Sequence, residues 1–213
     1  MALGIPVLFW DVDTAVDFML PEGKLYVPGA QDLLPTLARL NAAARDREVP
    51  ILASVDDHLL TDEEISDQPD FKRTYPPHCL TGTAGAEKVR ETRFRDPLVI
   101  GHGAVDQKVL SRQLATNPRE ILVRKRTVDV FTNANTEALV TALQPRRIVI
   151  YGVALDVCVR WAIEGLWERG FHRLSLVLDA TQPIDPALGK ALLKKWRQQG
   201  VGMTTTDDLL AEC

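Results

Sequence analysis

Short apolar runs rich in β-branched residues alternate along this chain with longer segments whose apolar positions recur at helical spacing. The first run, "PVLFWDVD", leads into the helical "GAQDLLPTLARLNAAARDRE", and "VPILASVD" follows as a second strand. After an irregular, proline-rich stretch come "PLVIGH", "EILVRK" and the helical "NTEALVTALQP". Next are the strand "RRIVIYGV", a helix from Asp156 through "VRWAIEGLWERG", the strand "RLSLVLDA", the helix "DPALGKALLKKWRQQG" and a short tail. Strands alternating with helices imply βαβ units, hence a three-layer αβα fold with a mainly parallel central sheet. No internal repeat or low-complexity linker divides the chain, so residues 1–213 are expected to form a single domain. Residues 59–76 read as a long loop, and such loops in compact domains are often functional. The segment 90–120 has no complete assignment.

In an open parallel sheet, ligands bind beyond the carboxyl ends of the strands. The polar residues closing each run therefore share one predicted edge. They are Asp11 and Asp13 after the first strand, Asp56 and His58 after the second, Lys125 after "ILVR", and Cys158 beyond "IVIYGVA".

Composition narrows the setting. The formal net charge is −4 and no basic block interleaves with aromatic residues, so nucleic-acid binding is not indicated. The apolar N-terminus lacks a basic region or cleavage-like site and reads as a core strand. No apolar run reaches membrane-spanning length, so no membrane partner is expected. Three cysteines, Cys79, Cys158 and Cys213, are an odd number in a chain long enough to fold without disulfides, which fits a reduced, cytoplasmic protein.

A helix N-terminus favours a thiolate through its unpaired N–H groups and dipole, and those N–H groups can also hold an oxyanion. Asp13 is placed to accept the Cys158 proton and later to activate water, and Lys125 to hold Asp13 and offset negative charge. Each residue has an ordinary reading too: a buried cysteine filling space, an aspartate closing a turn, a solvated lysine. Singly the ordinary reading is favoured; together, at one sheet edge, catalysis is.

A second group is "VDDH…PPHC". Asp56, His58 and His78 offer a carboxylate and two imidazoles, a set suited to Zn²⁺, Fe²⁺ or Mn²⁺ with open positions. Spacing alone equally allows Asp56 and Asp57 to cap a turn while the histidines make hydrogen bonds. Cys79 lacks a strand-to-helix setting and is expected to pack. Trp161 and Trp167 are read as core in preference to subunit contact.

The motifs resemble those of the isochorismatase-like cysteine hydrolases, the superfamily that includes nicotinamidases, isochorismatases and N-carbamoylsarcosine amidases. "DTAVDFM" is similar to the family's first motif, "YPPHCLTGTAGAE" to the Pro-Pro-His-Cys segment of nicotinamidases, "RKRTVDVFTN" to the lysine motif, and "YGVALDVCVRWA" to the nucleophile motif. The resemblance runs from residue 7 to about 181 and implies the isochorismatase-like hydrolase fold. It implies Asp13 as base, Lys125 as third triad member and Cys158 as nucleophile. It also implies a cis Val153–Ala154 peptide, an oxyanion hole from the N–H groups of Ala154 and Cys158, and a substrate site including Phe18, Tyr75 and Val153. By the same resemblance, Asp56, His58 and His78 bind a divalent metal, first of all zinc, that holds the ring nitrogen of nicotinamide. Glu64 stands where a further histidine is usual, and is expected to complete the ligand set. Ala15 stands where glutamine is frequent, which removes a hydrogen-bonding side chain near Asp13. No organic cofactor is implied, and homo-oligomers are common in the family.

The leading expectation is thus an amidase for a small, planar substrate, nicotinamide first, working through a thioester acyl-enzyme. A relative acting on a carbamoyl or ureido compound or on isochorismate is the alternative. Retention of Asp13, Lys125 and Cys158 speaks against a binding protein without turnover.

Overall fold

The computed structural model describes residues 3–116 and 118–212; Cys213 lies outside them. One sheet is built from β1 (Val7–Val12), β2 (Ile51–Asp56), β3 (Leu98–Ile100), β4 (Glu120–Lys125), β5 (Arg147–Val153), β6 (Leu174–Gln182) and β7 (Gly202–Thr204). Its order is β3-β4-β2-β1-β5-β6-β7, and every neighbouring pair is parallel. The helices are α1 (Val16–Met19), α2 (Leu34–Asp46), α3 (Gln107–Ala115), α4 (Thr136–Leu143), α5 (Cys158–Glu168), α6 (Pro186–Gln199) and α7 (Thr206–Glu212).

The period of two along each strand divides the core between the sheet's faces. From β1, Leu8, Trp10 and Val12 join Leu139 and Val140 of α4, Ile163 and Leu166 of α5, and Trp196 of α6. Phe9 points the other way, among Leu37 and Leu40 of α2 and Leu209 of α7. With helices on both faces, the strands are buried on both sides, which is why they read as unbroken apolar runs. The three-layer αβα architecture is as the periodicity predicts.

Local signals set the helix ends. Asp106 caps α3 by accepting from Lys108 and Val109 N–H, and Asp185 caps α6 by accepting from Ala187 and Leu188 N–H. Pro186 opens α6 and Gly200, at φ +99°, closes it.

The structure differs from the sequence reading in several places. The unassigned 90–120 segment supplies edge strand β3 and helix α3, both too short for periodicity to stand out. The tail forms β7 and α7, packed on β6 and α2. Helix α5 starts at Cys158, not Asp156. Trp161 is 43% exposed, whereas Trp167 packs against the core as expected.

The chain leaves β1 toward β2 and returns to β5 on the other side of β1, so the order switches direction between β1 and β5. Ligand clefts form at that point because the two loops diverge there. The β1–β5 register pairs Val12 with Gly152, bringing Asp13 alongside the loop that ends at Cys158. Gly152 has φ +113°, and a Cβ there would lie 2.0 Å from the Val12 carbonyl oxygen. Only glycine fits this approach. Gly152→Ala is expected to cost about 3 kcal/mol or more in urea unfolding, and Gly101→Ala, with open space around it, less than about 0.5 kcal/mol.

Candidate active site

Asp13 follows β1 with φ +50°, a left-handed conformation that aspartate tolerates better than most residues. That turn breaks the strand's alternation and separates Asp13 from Asp11. Asp11 is engaged elsewhere: Lys88 Nζ lies 3.0 Å from its Oδ2, and Thr14 Oγ1 donates to its Oδ1 at 2.8 Å. The hydrogen bond that Ala15 cannot supply comes instead from Ser54 of β2, whose hydroxyl donates to Asp13 Oδ1 at 2.7 Å.

Lys125, ending β4, is 1% exposed. Its Nζ lies 2.9 Å from Asp13 Oδ2 and 3.7 Å from Cys158 Sγ, donates to the Thr127 carbonyl at 3.0 Å, and makes a short ion pair with Asp56 Oδ1. Burial alone would push this ammonium's pKa down, but Asp13, Asp56 and Cys158 hold it well above its ordinary value. Asp13 is raised, by burial first and by Asp56, with Lys125 opposing, and its carboxylate lies within 4.8 Å of the Cys158 sulfur. The Cys158 thiol is likewise pushed well up by burial, with Lys125 pulling down and the carboxylates adding to the rise. Burial at this position thus opposes the thiolate that a helix N-terminus alone would favour.

Cys158 opens α5, and the Val153–Ala154 peptide before it is cis. Among the described residues, the N–H groups of Ala154 and Cys158 donate to no protein acceptor. Two such donors beside the Cys158 sulfur are the kind of group that an oxyanion site uses. Asp156, between them, accepts from Ile184 N–H at 2.9 Å and Asp185 N–H at 2.7 Å.

The second group gathers as well. Ligand atoms of Asp56, His58 and His78 all lie within 4.8 Å of one another. His58 Nε2 and His78 Nε2 sit 3.8 and 3.7 Å from Asp56 Oδ2, while Asp56 Oδ1 faces Lys125. A parallel bridge between His58 and Leu80 carries His78 to this place, with His58 N–H donating to the Cys79 carbonyl. The Pro76 carbonyl lies 2.7 Å from His78 Nδ1, an arrangement that leaves Nε2 as the free lone pair. His58 Nε2 is buried without a hydrogen-bond partner. Glu64 Oε1 lies 3.9 Å from His58 Nε2, while Oε2 accepts from Val128 N–H at 2.9 Å. Burial and Asp56 push the Glu64 carboxyl up, a crowding of acids that a bound cation relieves. An orphaned imidazole nitrogen and converging carboxylates fit a divalent metal.

The long loop 59–76 folds back as a narrow ladder, Tyr75 N–H donating to the Glu64 carbonyl and Ser66 N–H to the Tyr75 carbonyl. Asp70 closes its tip by accepting from Lys72, Arg73 and Thr74 N–H. Phe18 and Tyr75 flank His78 with ring centroids 5.4 and 6.1 Å away. Burial first, then nearby anions, push the Tyr75 phenol up to about 12, so it faces the cleft uncharged. Phe18, Tyr75, Val153, Ala154 and Cys158 line one cleft of about 370 Å³ of empty space, counted to its mouth. Leu25, Val27, Val128, Val157 and Ile184 complete its apolar walls. The sequence reading missed these because nothing in spacing marks an apolar loop residue as a cleft wall. Cys79 packs as expected: it is fully buried and its thiol is pushed far up by burial, with Asp56, Asp17 and Asp13 adding. No helix among the described residues is long and apolar enough to cross a membrane.

The isochorismatase domain family model matches residues 7–208, and the chain belongs to that family. It is 34% identical over 76 residues to the nicotinamidase/pyrazinamidase of Mycobacterium tuberculosis, a stretch covering 36% of this chain and 40% of that protein. Among solved structures, it matches the pyrazinamidase of Pyrococcus horikoshii in complex with zinc at TM-score 0.71 and 21% identity, over 93% of this chain and 98% of that one. It matches PnC1 from L. infantum in complex with nicotinate at TM-score 0.71 and 22% identity, over 98% of each chain.

Removing Lys125's charge leaves Asp13 and Asp56 buried and facing each other. Lys125→Met is expected to cost about 3–5 kcal/mol in chemical denaturation, as for one partner of a buried ion pair. A loss below about 1 kcal/mol, the range of exposed pairs, would mean that the ammonium does not hold these carboxylates.

Proposed function

We propose that this chain is a cysteine amidase that hydrolyses a small, uncharged, planar carboxamide, with nicotinamide the leading substrate. The observation that carries this reading is the contact of one buried ammonium, on Lys125, with Asp13, Asp56 and the Cys158 sulfur, of which Asp56 and Cys158 line a largely apolar cleft.

The chemistry follows from the placement of these groups. As Cys158 Sγ attacks the carbonyl carbon, its proton passes to Asp13, whose carboxylate lies within 4.8 Å of the sulfur. Lys125 stabilises the sulfur's charge as it develops, and the N–H groups of Ala154 and Cys158 receive the oxyanion. Collapse of the tetrahedral adduct breaks the C–N bond, Asp13 returns the proton to the leaving nitrogen, and ammonia departs from a thioester. Asp13 then takes a proton from water as it attacks the thioester, and Cys158 regains a proton as the acid is released.

Asp56, His58 and His78, with Glu64 beside them, would hold a divalent cation, zinc first given two imidazoles and carboxylates, with Fe²⁺ or Mn²⁺ as the other candidates. When bound, such an ion supplies a Lewis-acidic position for a ring nitrogen of the substrate. Phe18 and Tyr75 supply flat apolar walls for the ring. The cleft lining includes no lysine or arginine, which favours a neutral amide over carbamoyl acids or isochorismate, whose carboxylates call for a cationic partner.

Ammonia release from nicotinamide tests the proposal. Wild type is expected to turn over and Cys158→Ala to lose at least about a thousandfold in kcat while keeping its fold by circular dichroism. Equal activity in both would remove the nucleophile. Stripping the protein with a chelator is expected to lower kcat/KM, and zinc, iron or manganese to restore it; full activity in metal-free protein would remove the cation from the mechanism.

A further inference from the structure

We propose that Ile184 is the size-selecting lip of the cleft over Cys158, and that Asp156 is the positioning residue that holds it there. A half-exposed isoleucine alone means nothing. Ile184 differs because it lines the cleft while remaining 47% exposed, which places it at the rim. Its backbone is anchored on both sides. Gln182 O accepts from Leu155 N–H at 2.9 Å, and Asp185 caps α6. Helix α6 sits tightly on the same turn: a Cβ at Gly189 would come within 2.9 Å of Pro183 Cβ.

The central anchor is Asp156, two residues before the nucleophile. It is 7% exposed, and its two oxygens accept separately from Ile184 N–H and Asp185 N–H. The turn that leads into Cys158 and the loop that carries Ile184 are thereby tied together by two hydrogen bonds. Isoleucine is β-branched and stiff at χ1, so this edge holds its shape. An acyl fragment no larger than a single flat ring passes it; one with a bulky substituent meets the Ile184 side chain. The preference among substrates rests on the amidase reading, but access to Cys158 does not.

Access is measured by alkylation of Cys158, in which sulfur displaces iodide to form a thioether, followed by peptide mass spectrometry to separate Cys158 from Cys79 and Cys213. The reagents are iodoacetamide and the bulkier N-phenyl iodoacetamide. Ile184→Ala is expected to raise the rate with the bulky reagent about tenfold and that with iodoacetamide less than about twofold. Ile184→Phe is expected to move the ratio the opposite way. Asp156→Asn retains one carbonyl acceptor for two N–H donors, and is expected to shift the ratio as Ile184→Ala does, by less. An unchanged ratio in Ile184→Ala, or equal acceleration of both reagents, would overturn the lip. An unchanged ratio in Asp156→Asn would overturn the positioning role. In parallel, kcat/KM for nicotinamide and for a ring-substituted nicotinamide is expected to follow the alkylation ratio. Wild type that turns over neither amide would overturn the amidase reading, while the alkylation ratio still decides the lip.

Discussion

One buried ammonium organises this molecule's functional edge. Lys125 Nζ stands between Asp13 and Asp56, within reach of the Cys158 sulfur. A charge so buried persists only with partners close enough to replace its water, and here the carboxylates at the ends of β1 and β2 supply them, with the Thr127 carbonyl. Asp56 is divided between two tasks, one oxygen facing Lys125 and the other facing His58 and His78. The surroundings of Cys158 and the imidazole cluster therefore meet at a single carboxylate. A change to either is expected to be felt by the other through Asp56.

That arrangement also bears on the charges of Cys158 and Asp13. Burial raises both the Cys158 thiol and the Asp13 carboxyl, so it disfavours the charged form of each, with Lys125 opposing. The Asp13 carboxylate lies within 4.8 Å of the sulfur, and the Lys125 ammonium stands beside both. A site that waits uncharged on sulfur is also less open to stray oxidation.

Much of this was legible in the sequence because strand order and the carboxyl-edge rule act on residues far apart. Asp13, Asp56, Lys125 and Cys158 each close an apolar run, and a parallel sheet sends all such ends to one side. The Asp56–His58 pair was visible for the same reason, and the approach of His78 followed from resemblance more than from spacing. What stayed hidden depends on side chains whose partners lie across loops. Ser54 looks like an ordinary strand residue until β2 sets it beside Asp13. Asp156 reads as a helix start, yet its carboxylate is spent on the β6–α6 loop, which shortens α5 to begin at Cys158. Asp11 sits two residues from Asp13, but the left-handed turn at Asp13 sends them to different networks. The strand and helix at the tail were lost to their brevity.

The central claim is that an acyl group passes through sulfur beside this shared ammonium. The direct measurement is the intact mass of the protein quenched in acid during turnover of nicotinamide, with the modified residue located by peptide mapping. The account predicts a nicotinoyl thioester on Cys158 during turnover, absent once substrate is exhausted. Steady turnover with Cys158 unmodified at every quench time, and no acyl transfer to added hydroxylamine, would contradict it.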